Sequence, residues 1–381
     1  MKAIGIITEY NPFHNGHLYQ INKIKEKYPD YAIVVVMSGN YTQRGEPAII
    51  DKFKRSEIAI KAGVDLIVEL PFPFATQSAD FFAYGGITLL EKLKVEKVIF
   101  GSESDNVEDL EEIVNAQINN ETFDSLVHYY SKCGNNYPTS LSLALKEITG
   151  KVIDTPNDLL GISYIKTIKQ NNYNIKYETI KRTTDYHKKI LDNEISSATS
   201  IRFALSNNKD ISNTIPSYEL DYLNELHFIE DYYPYLKYKI LTEQDLNKYQ
   251  TVTEGIDNLI KEKIISSNSY DSLIHKLQSK RYTYNKIQRM LLHILVGFTK
   301  EDAKNMNEIT YIRLLNFSSN GRKYLNEVKK EIDIPIISKI NRTKDKMLDF
   351  EIHTTQIYAL TSSNYYETVY EEYKNHLNKG E

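Results

Sequence analysis

The sequence is poor in the features that mark secreted, metal-stapled and membrane proteins. It has one cysteine, Cys133, which excludes an internal disulfide framework and a Cys-x-x-Cys pair for zinc or redox chemistry. It contains no run of about 18 apolar residues, and its amino terminus lacks the pattern of a signal peptide. These absences predict a cytoplasmic protein without a membrane partner, and no protein partner is evident.

Charge of one sign is also lacking. The 381 residues carry a formal net charge of -4, which gives no general attraction to polyanions, so any phosphate or nucleic-acid site must be a local basic surface. The hydrophobic share of 41% and the charged share of 26% are those of an ordinary folded protein. A chain of this length favours two or three domains.

The first half of the chain alternates short apolar runs with helical patterns. Strands are predicted at 3–8, 32–37, 64–70, 95–100 and 173–180, and helices at 17–28, 51–62, 78–93, 107–117, 141–149, 156–170 and 200–206. Strands separated by helices are typical of βαβ crossovers and a parallel sheet. Beyond residue 211 the strand pattern disappears. We therefore predict an α/β protein, with a Rossmann-like parallel-sheet domain at 1–208 followed by an all-helical domain at 209–381.

The first strand leads into a polar turn with the sequence His14-Asn15-Gly16-His17. Two imidazoles and free backbone amides at a helix start attract anions, and Gly16 lets the backbone approach a phosphate closely. Preorganised donors of this kind are most of what phosphoryl or nucleotidyl transfer requires. The alternative is structural: His14 caps the helix and His17 packs beneath it.

A second polar turn with helix-start character lies far along the chain, at Ser196-Ser197-Ala198-Thr199-Ser200-Ile201-Arg202 after Ile195. Hydroxyls and amides at a helix start, with one guanidinium, suit a pyrophosphate leaving group. An ordinary N-cap with a surface arginine is the alternative. Together the two turns resemble the nucleotidyltransferase superfamily with the His-x-Gly-His signature, whose members join a nucleotide to an acid or phosphate and release pyrophosphate.

Longer segments narrow the resemblance. They are Ser38–Ala48 with Asp51, Lys52 and Arg55, then 63–71, 100–103, 156–161, 182–187, 281–283 and 312–317. They resemble the tRNA(Met) cytidine acetate ligase family over essentially the whole chain. The resemblance implies ATP-dependent activation of acetate to acetyl-adenylate, and acetyl transfer to the exocyclic amine of the wobble cytidine in elongator tRNA(Met), giving N(4)-acetylcytidine.

The family resemblance also implies site residues. Catalytic roles fall to His14, His17 and Arg202, with Mg²⁺ as the expected companion of ATP. The predicted ATP contacts are Ile7, Thr8, Glu9, Tyr10, Asn11, Pro12, Phe13, His14, Asn15, Gly16, His17, Leu18, Tyr19, Gln20, Gly101, Asn157, Arg182, Ser197, Thr199 and Ser200. Taken alone, Gly101 could be a turn glycine, Asn157 a helix N-cap and Arg182 a solvated charge.

Further cations are candidates for acetate and tRNA. Arg44 and Lys52 follow the second strand and could hold acetate or a tRNA phosphate, or form surface ion pairs of little energy. A helix at 283–297 places Lys286, Arg289 and His293 at spacings of three and four. The tRNA-binding candidates are Lys280, Arg281, Lys286, Arg289 and Arg313, although a normal solvated helix face has the same pattern.

Two other functions remain open from the sequence. A small-molecule nucleotidyltransferase would use a phosphorylated metabolite as acceptor, but it needs no large second domain. An RNA-binding protein with a vestigial nucleotide site would not need His14, Gly16, His17 and Arg202 intact.

Overall fold

The computed structural model describes residues 1–135, 137–152, 154–182, 196–340 and 345–374. Within these residues, one sheet of seven strands has the order β5-β4-β1-β2-β3-β6-β7. Its strands are β1 (Lys2–Thr8), β2 (Tyr31–Ser38), β3 (Leu66–Leu70), β4 (Lys97–Ser102), β5 (Lys176–Lys181), β6 (Ile312–Phe317) and β7 (Ile336–Ile337). The first five strands are mutually parallel where they pair, which confirms the predicted α/β class.

Helices cover both faces of this sheet. In the first part of the chain they are α1 (Asn15–Lys27), α2 (Lys52–Lys61), α3 (Phe72–Ala75), α4 (Ala79–Lys92), α5 (Val107–Asn119), α6 (Phe123–Lys132), α7 (Tyr137–Thr149), α8 (Pro156–Gln170) and α9 (Ala198–Ser206). Alternate residues of β1 enter two different cores, with Ile4 and Ile6 on the face of α1 and α2, and Ala3 and Ile7 on the face of α4. A central parallel strand buried on both faces reads as a continuous apolar run.

The later part of the chain is mainly helical. Its helices are α10 (Tyr233–Thr242), α11 (Ile256–Ile265), α12 (Tyr270–Leu277), α13 (Tyr284–Val296), α14 (Lys300–Asn305), α15 (Ser319–Val328), α16 (Lys346–Tyr358) and α17 (Tyr365–Tyr370). Short 3-10 turns join them at Ser217–Tyr222, Ile229–Tyr232, Leu246–Lys248, Ala359–Thr361 and Glu371–Tyr373.

Two strands correct the prediction that everything after residue 208 is helical. β6 pairs antiparallel with β3, and β7 pairs with β6, so the later part of the chain extends the amino-terminal sheet. All six residues of β6 are buried, and the run therefore lacks the polar alternation of a half-exposed strand. The division at residue 208 stays a prediction, and β6 lies in the same sheet as the strands before it.

The sheet order places a ligand site at a defined edge. β1 lies between β2 and β4, so the connections from β1 and to β4 run to opposite sides. Open α/β sheets bind ligands outside the carboxyl ends of the strands at such a switch point. The turn after β1 and Gly101 near the end of β4 both lie at this edge.

Candidate active site

The turn after β1 is fixed by the two histidines themselves. His14 is the N-cap of α1, and its Nδ1 accepts a hydrogen bond from the Gly16 amide at 3.1 Å. His17 Nδ1 accepts from the His14 amide at 3.2 Å. The capping alternative is therefore realised, and it does not compete with a role in binding, because it uses one ring nitrogen of each histidine.

These contacts determine the state of both rings. An Nδ1 that accepts from an amide carries no proton, so each neutral imidazole has its proton on Nε2. The rings stack with centroids 3.7 Å apart. Burial, with the charges of Arg182 and Arg202, lowers the pKa of His14 to about 3. Burial, with His14 and Arg182, lowers the pKa of His17 well below its usual value. The turn therefore holds two neutral N–H donors.

The expectation of free backbone amides at this helix start is wrong for the described structure. The Asn15 amide donates to the Thr214 carbonyl at 3.0 Å, and the His17 amide donates to the His14 carbonyl at 2.8 Å. The Gly16 amide is taken by His14. Side chains, rather than main-chain amides, must supply the donors to a phosphate at this turn.

Apolar side chains of the predicted ATP-contact segment support the turn from below. Ile7, Tyr10 and Phe13 are buried in the two cores. The Tyr10 ring lies 4.8 Å from the rings of both Phe13 and His17. Gln20 donates to the Ile99 carbonyl at 3.4 Å, which ties α1 to β4. These side chains hold the shape of the turn.

The second polar turn lies against the first. Ser197 is the N-cap of α9, and its Oγ accepts from the Ser200 amide at 3.2 Å. Arg202 Nη1 donates to the Asn11 carbonyl at 2.8 Å, across 191 positions of sequence. The structure thus brings the two turns together, as the superfamily resemblance implies. Ile195 and residues 183–187 lie outside the described residues.

A third group of predicted contacts borders the site at the ends of β4 and β5. The Arg182 amide donates to the Ser102 carbonyl at 2.9 Å. A Cβ on Gly101 would lie 3.2 Å from Arg182 Cγ. The absence of a side chain at Gly101 therefore lets the Arg182 side chain pack closely over it. Glu103 lies 3.9 Å from Arg182 Nε and accepts a hydrogen bond from Asn157. Because Thr155 is the N-cap of α8, the N-cap alternative for Asn157 is wrong.

Arg44 joins this site, together with Glu9, which is a predicted ATP contact, and Glu46, which is not. Arg44 Nη1 donates to Thr199 Oγ1 at 3.3 Å. Glu46 Oε2 lies 3.3 Å from Arg202 Nη2. Burial raises the pKa of Glu9, and Arg44 and Arg202 oppose that rise. Glu46 lies in the segment Ser38–Ala48 that carries the family resemblance, but that segment does not reveal its contact with Arg202, which is distant in sequence.

Lys52 and Arg313 lie elsewhere, in a buried ionic cluster. Lys52 Nζ lies 2.6 Å from both Glu69 and Glu372, and Arg313 Nη2 lies 3.4 Å from Glu372. Burial alone lowers the pKa of Lys52, but Glu372 and Glu69 outweigh it and raise the pKa to about 12. With side-chain exposures of 0% and 1%, Lys52 and Arg313 cannot contact a tRNA phosphate. Those two predictions are wrong, and Lys52 faces carboxylates of the chain in place of acetate.

The remaining tRNA candidates fall into two groups. Lys280 and Arg281 are exposed, and Arg281 pairs with Glu254 at 2.9 Å. Lys286 and Arg289 on α13 are half-buried, and Arg289 Nη1 donates to the Gln43 carbonyl at 3.3 Å. His293 is buried between the carbonyls of Gln250 and Thr76, so it is not part of an exposed basic stripe.

The buried histidines predict a loss of stability in mild acid. Burial lowers the pKa of His227 to about 4, and it also lowers the pKa of His14. The unfolded chain binds a proton at each group near pH 6.5, so the stability present at higher pH is lost as pH falls toward the folded pKa. Below about pH 6, we expect the free energy of unfolding to fall by about 1.4 kcal/mol per pH unit for each histidine.

Urea unfolding of the parent protein and of His227→Gln, at about pH 7 and about pH 5, measures this loss. The variant lacks one proton-binding group, so it should lose less stability over the interval. An equal loss in both proteins would contradict the assignment of His227 as a buried neutral group.

Known proteins resemble this chain over its length. A sequence profile of the HIGH Nucleotidyl Transferase family matches residues 1–372. A tRNA(Met) cytidine acetate ligase of Geobacillus sp. (strain WCH70) is 40% identical over 362 residues, with 90% of each protein covered. The protein of that name from Bacillus subtilis (strain 168) is 36% identical over 385 residues, with 94% of this chain and 92% of the relative covered.

Solved structures agree with the sequence relatives. The apo crystal structure of Thermotoga maritima TmcAL superposes with a TM-score of 0.92 at 29% identity. The crystal structure of that protein bound with alpha-thio ATP superposes with a TM-score of 0.88 at 28% identity. Both comparisons cover 99% of each chain.

Proposed function

Since the chain belongs to the HIGH nucleotidyl transferase family and, within it, to the tRNA(Met) cytidine acetate ligases, we propose that it acetylates tRNA with ATP and acetate. The product is N(4)-acetylcytidine at the wobble position of elongator tRNA(Met). The observation that carries this proposal is the convergence of two neutral Nε2–H donors with Arg44, Arg182 and Arg202 at the switch point of the sheet.

In the first step an acetate oxygen attacks the α-phosphorus of ATP and pyrophosphate leaves. His14 and His17 donate from Nε2 to the α-phosphate oxygens, and Arg202 neutralises charge on the departing phosphates. Because the imidazoles are neutral over the working pH range, they act as fixed hydrogen-bond donors and not as acids. Ser197, Thr199 and Ser200 present the start of α9 to the same phosphates.

In the second step the exocyclic amine of cytidine attacks the acetyl carbon of the adenylate. A bond forms between nitrogen and carbon, the bond from carbon to the AMP oxygen breaks, and the amine gives up one proton. A mixed anhydride has AMP as a good leaving group, so an enzyme nucleophile is not required.

Magnesium would arrive with the triphosphate. Among the described residues, no group of three His, Cys, Asp or Glu side chains could hold a metal ion. Mg²⁺ in nucleotide enzymes is held largely by substrate phosphates and water, with few protein ligands. The chain's own part is to bind the phosphates with histidine and arginine side chains.

Arg44 is the best-placed cation for acetate. Its guanidinium donates to Thr199 Oγ1 at 3.3 Å and interacts electrostatically with Glu9, Glu46 and Arg202. Burial lowers its pKa, and the charge of Arg202 acts in the same direction. Acetate bound beside Arg44 would reduce the electrostatic repulsion between the half-buried guanidinium groups of Arg44 and Arg202.

We assign tRNA contact to the helical part of the chain after residue 208, with Lys280, Arg281 and Lys286 at its surface. Lys286 Nζ lies 4.5 Å from the centre of the Tyr282 ring. Surface cations of this kind neutralise the phosphates of an RNA loop. Among the described residues no helix is long and apolar enough to cross a bilayer, and a tRNA substrate places the enzyme in the cytoplasm.

Exchange of labelled pyrophosphate into ATP tests the first step. We expect exchange that depends on acetate and needs no tRNA. Exchange that depends on a phosphorylated metabolite and not on acetate would indicate a small-molecule nucleotidyltransferase, and the lack of any exchange would indicate a vestigial nucleotide site.

Lys286→Met tests the tRNA surface. Loss of one phosphate contact should weaken binding of elongator tRNA(Met) and reduce the slope of log affinity against log salt by about one, while acetate-dependent exchange is unchanged. Lys132→Met, an exposed lysine at the end of α6, is the control with the same change of charge. Fluorescence anisotropy across a salt series measures both. Equal affinity and slope for the two variants would place tRNA on another surface.

A further inference from the structure

A short loop links the candidate active site to the helical part of the chain. This bridging loop comprises residues 42–47 and closes on itself, because the Thr42 amide donates to the Glu46 carbonyl and the Gly45 amide donates to the Thr42 carbonyl, both at 2.9 Å. Tyr41 and Pro47 pair across its base. The loop is therefore a compact unit whose two sides can contact different elements.

One side of the bridging loop faces the phosphate-binding residues. The Gln43 amide donates to Glu9 Oε1 at 2.6 Å, beside the turn after β1. Arg44 contacts Thr199, and Glu46 Oε2 contacts Arg202. Every one of these partners belongs to the site proposed for ATP.

The other side of the loop is seated on α13. Gln288 Nε2 donates to Glu46 Oε1 at 3.0 Å, and Arg289 donates to the Gln43 carbonyl. Gly45 has a φ of +87°, and a Cβ at this position would lie 2.5 Å from the Arg289 amide nitrogen. The approach of loop to helix is therefore as close as a residue without a side chain permits.

Glu46 is the residue that both sides share. One carboxylate oxygen holds Arg202 and the other holds Gln288, which is 1% exposed. A carboxylate is rigid and planar, so the position of α13 and the direction of the Arg202 guanidinium are coupled through one hydrogen bond and one ion pair. Arg202 Nη1 also donates to the Asn11 carbonyl, so the guanidinium contacts both the turn after β1 and the bridging loop.

We propose that Glu46 is a positioning residue that aims Arg202 at the triphosphate and that takes its own position from Gln288 on α13. The inference rests on the proposed function for the reaction, but its geometry concerns ATP binding alone. Glu46 acts in two opposing ways. It orients Arg202 for the transition state, and its charge competes with the phosphates for the same guanidinium.

We therefore expect Glu46→Gln and Gln288→Leu to change the affinity for ATP in opposite directions. Glu46→Gln removes the competing charge, so a nonhydrolysable ATP analogue should bind about fivefold more tightly, while the turnover of pyrophosphate exchange falls because Arg202 is less well oriented. Gln288→Leu removes the donor that shares the Glu46 charge. Glu46 should then hold Arg202 more strongly, and the analogue should bind about fivefold more weakly.

The test is a double-mutant cycle read by calorimetric titration of the analogue. In the Glu46→Gln background, Gln288→Leu should change the dissociation constant by less than about twofold, because the shared carboxylate is absent. Gln278→Leu, at an exposed glutamine after α12, should change nothing in either background. Two results would overturn the proposal. One is that Gln288→Leu changes the dissociation constant by the same factor in both backgrounds; the other is that Glu46→Gln weakens binding of the analogue.

The titration distinguishes failure of this proposal from failure of the proposed reaction. The titration uses neither acetate nor tRNA, so the pattern of dissociation constants stands even if pyrophosphate exchange proves independent of acetate. A merely structural role for Glu46 predicts weaker binding and a lower unfolding temperature, and the proposal predicts tighter binding with lower turnover.

Discussion

Replacement of His17 by asparagine is expected to lower the rate of acetate-dependent pyrophosphate exchange by about 10²–10³-fold, the usual cost of removing one preorganised donor to a transition-state oxyanion. The asparagine amide oxygen can still accept from the His14 amide, as His17 Nδ1 does. The variant keeps this hydrogen bond and loses the Nε2–H donor. Steady-state exchange assays at saturating ATP measure the loss, and thermal unfolding checks that the turn is intact.

His17→Gln is the matched control. Its amide nitrogen reaches the place of Nε2, so it can supply the donor that asparagine lacks. We expect its exchange rate to stay within about tenfold of the parent protein. Equal loss in the two variants would mean that the ring matters for packing against Tyr10 and Phe13, and not for its donor.

Of the substitutions proposed here, Lys52→Met should lower the free energy of unfolding most, by about 3–5 kcal/mol. It leaves Glu69 and Glu372 buried without their shared cation. Burial, with the charge of Glu69, already raises the pKa of Glu351 well above its usual value in the same cluster. The cluster joins α2, β3, β6, α16 and the turn Glu371–Tyr373. Urea unfolding gives the change in free energy.

Lys54→Met serves as the comparison on the same helix. Lys54 is 40% exposed and lies 3.1 Å from Asp51, so its loss should cost less than about 1 kcal/mol. Similar midpoints for the two variants would show that the buried cluster does not stabilise the fold more than a surface pair does.

Local patterns predicted the amino-terminal architecture well. The strands expected near residues 3–8 and 32–37 are β1 and β2, and the helix expected at 156–170 is α8 with those bounds. These elements carry regular apolar periodicity and clear polar turns between them. β6 escaped prediction because both of its faces are covered, and Arg313 and Asn316 interrupt its apolar residues without the alternation of a half-exposed strand.

Distance along the chain separates the predicted site residues that the structure brings together from those that it places elsewhere. His14 is the N-cap of α1, and His17 and Arg202 lie near the starts of α1 and α9, where the local sequence defines the position of each side chain. Lys52 and Arg313 are as basic as any surface residue, and their burial follows from carboxylates supplied by other segments. A single sequence does not reveal which of its 51 acidic residues will meet a given cation.

The sequence by itself determined the parallel sheet, the polar turn after β1 and the family, because each of these depends on residues close together in the chain. Only the tertiary structure decided that the amides of the turn are already hydrogen-bonded, that Lys52 and Arg313 are interior, and that Glu46 lies between Arg202 and Gln288. Those facts depend on contacts between segments that are distant in sequence, as Lys52 and Glu372 are. Their partners are selected by packing and desolvation of the whole fold, which local sequence does not encode.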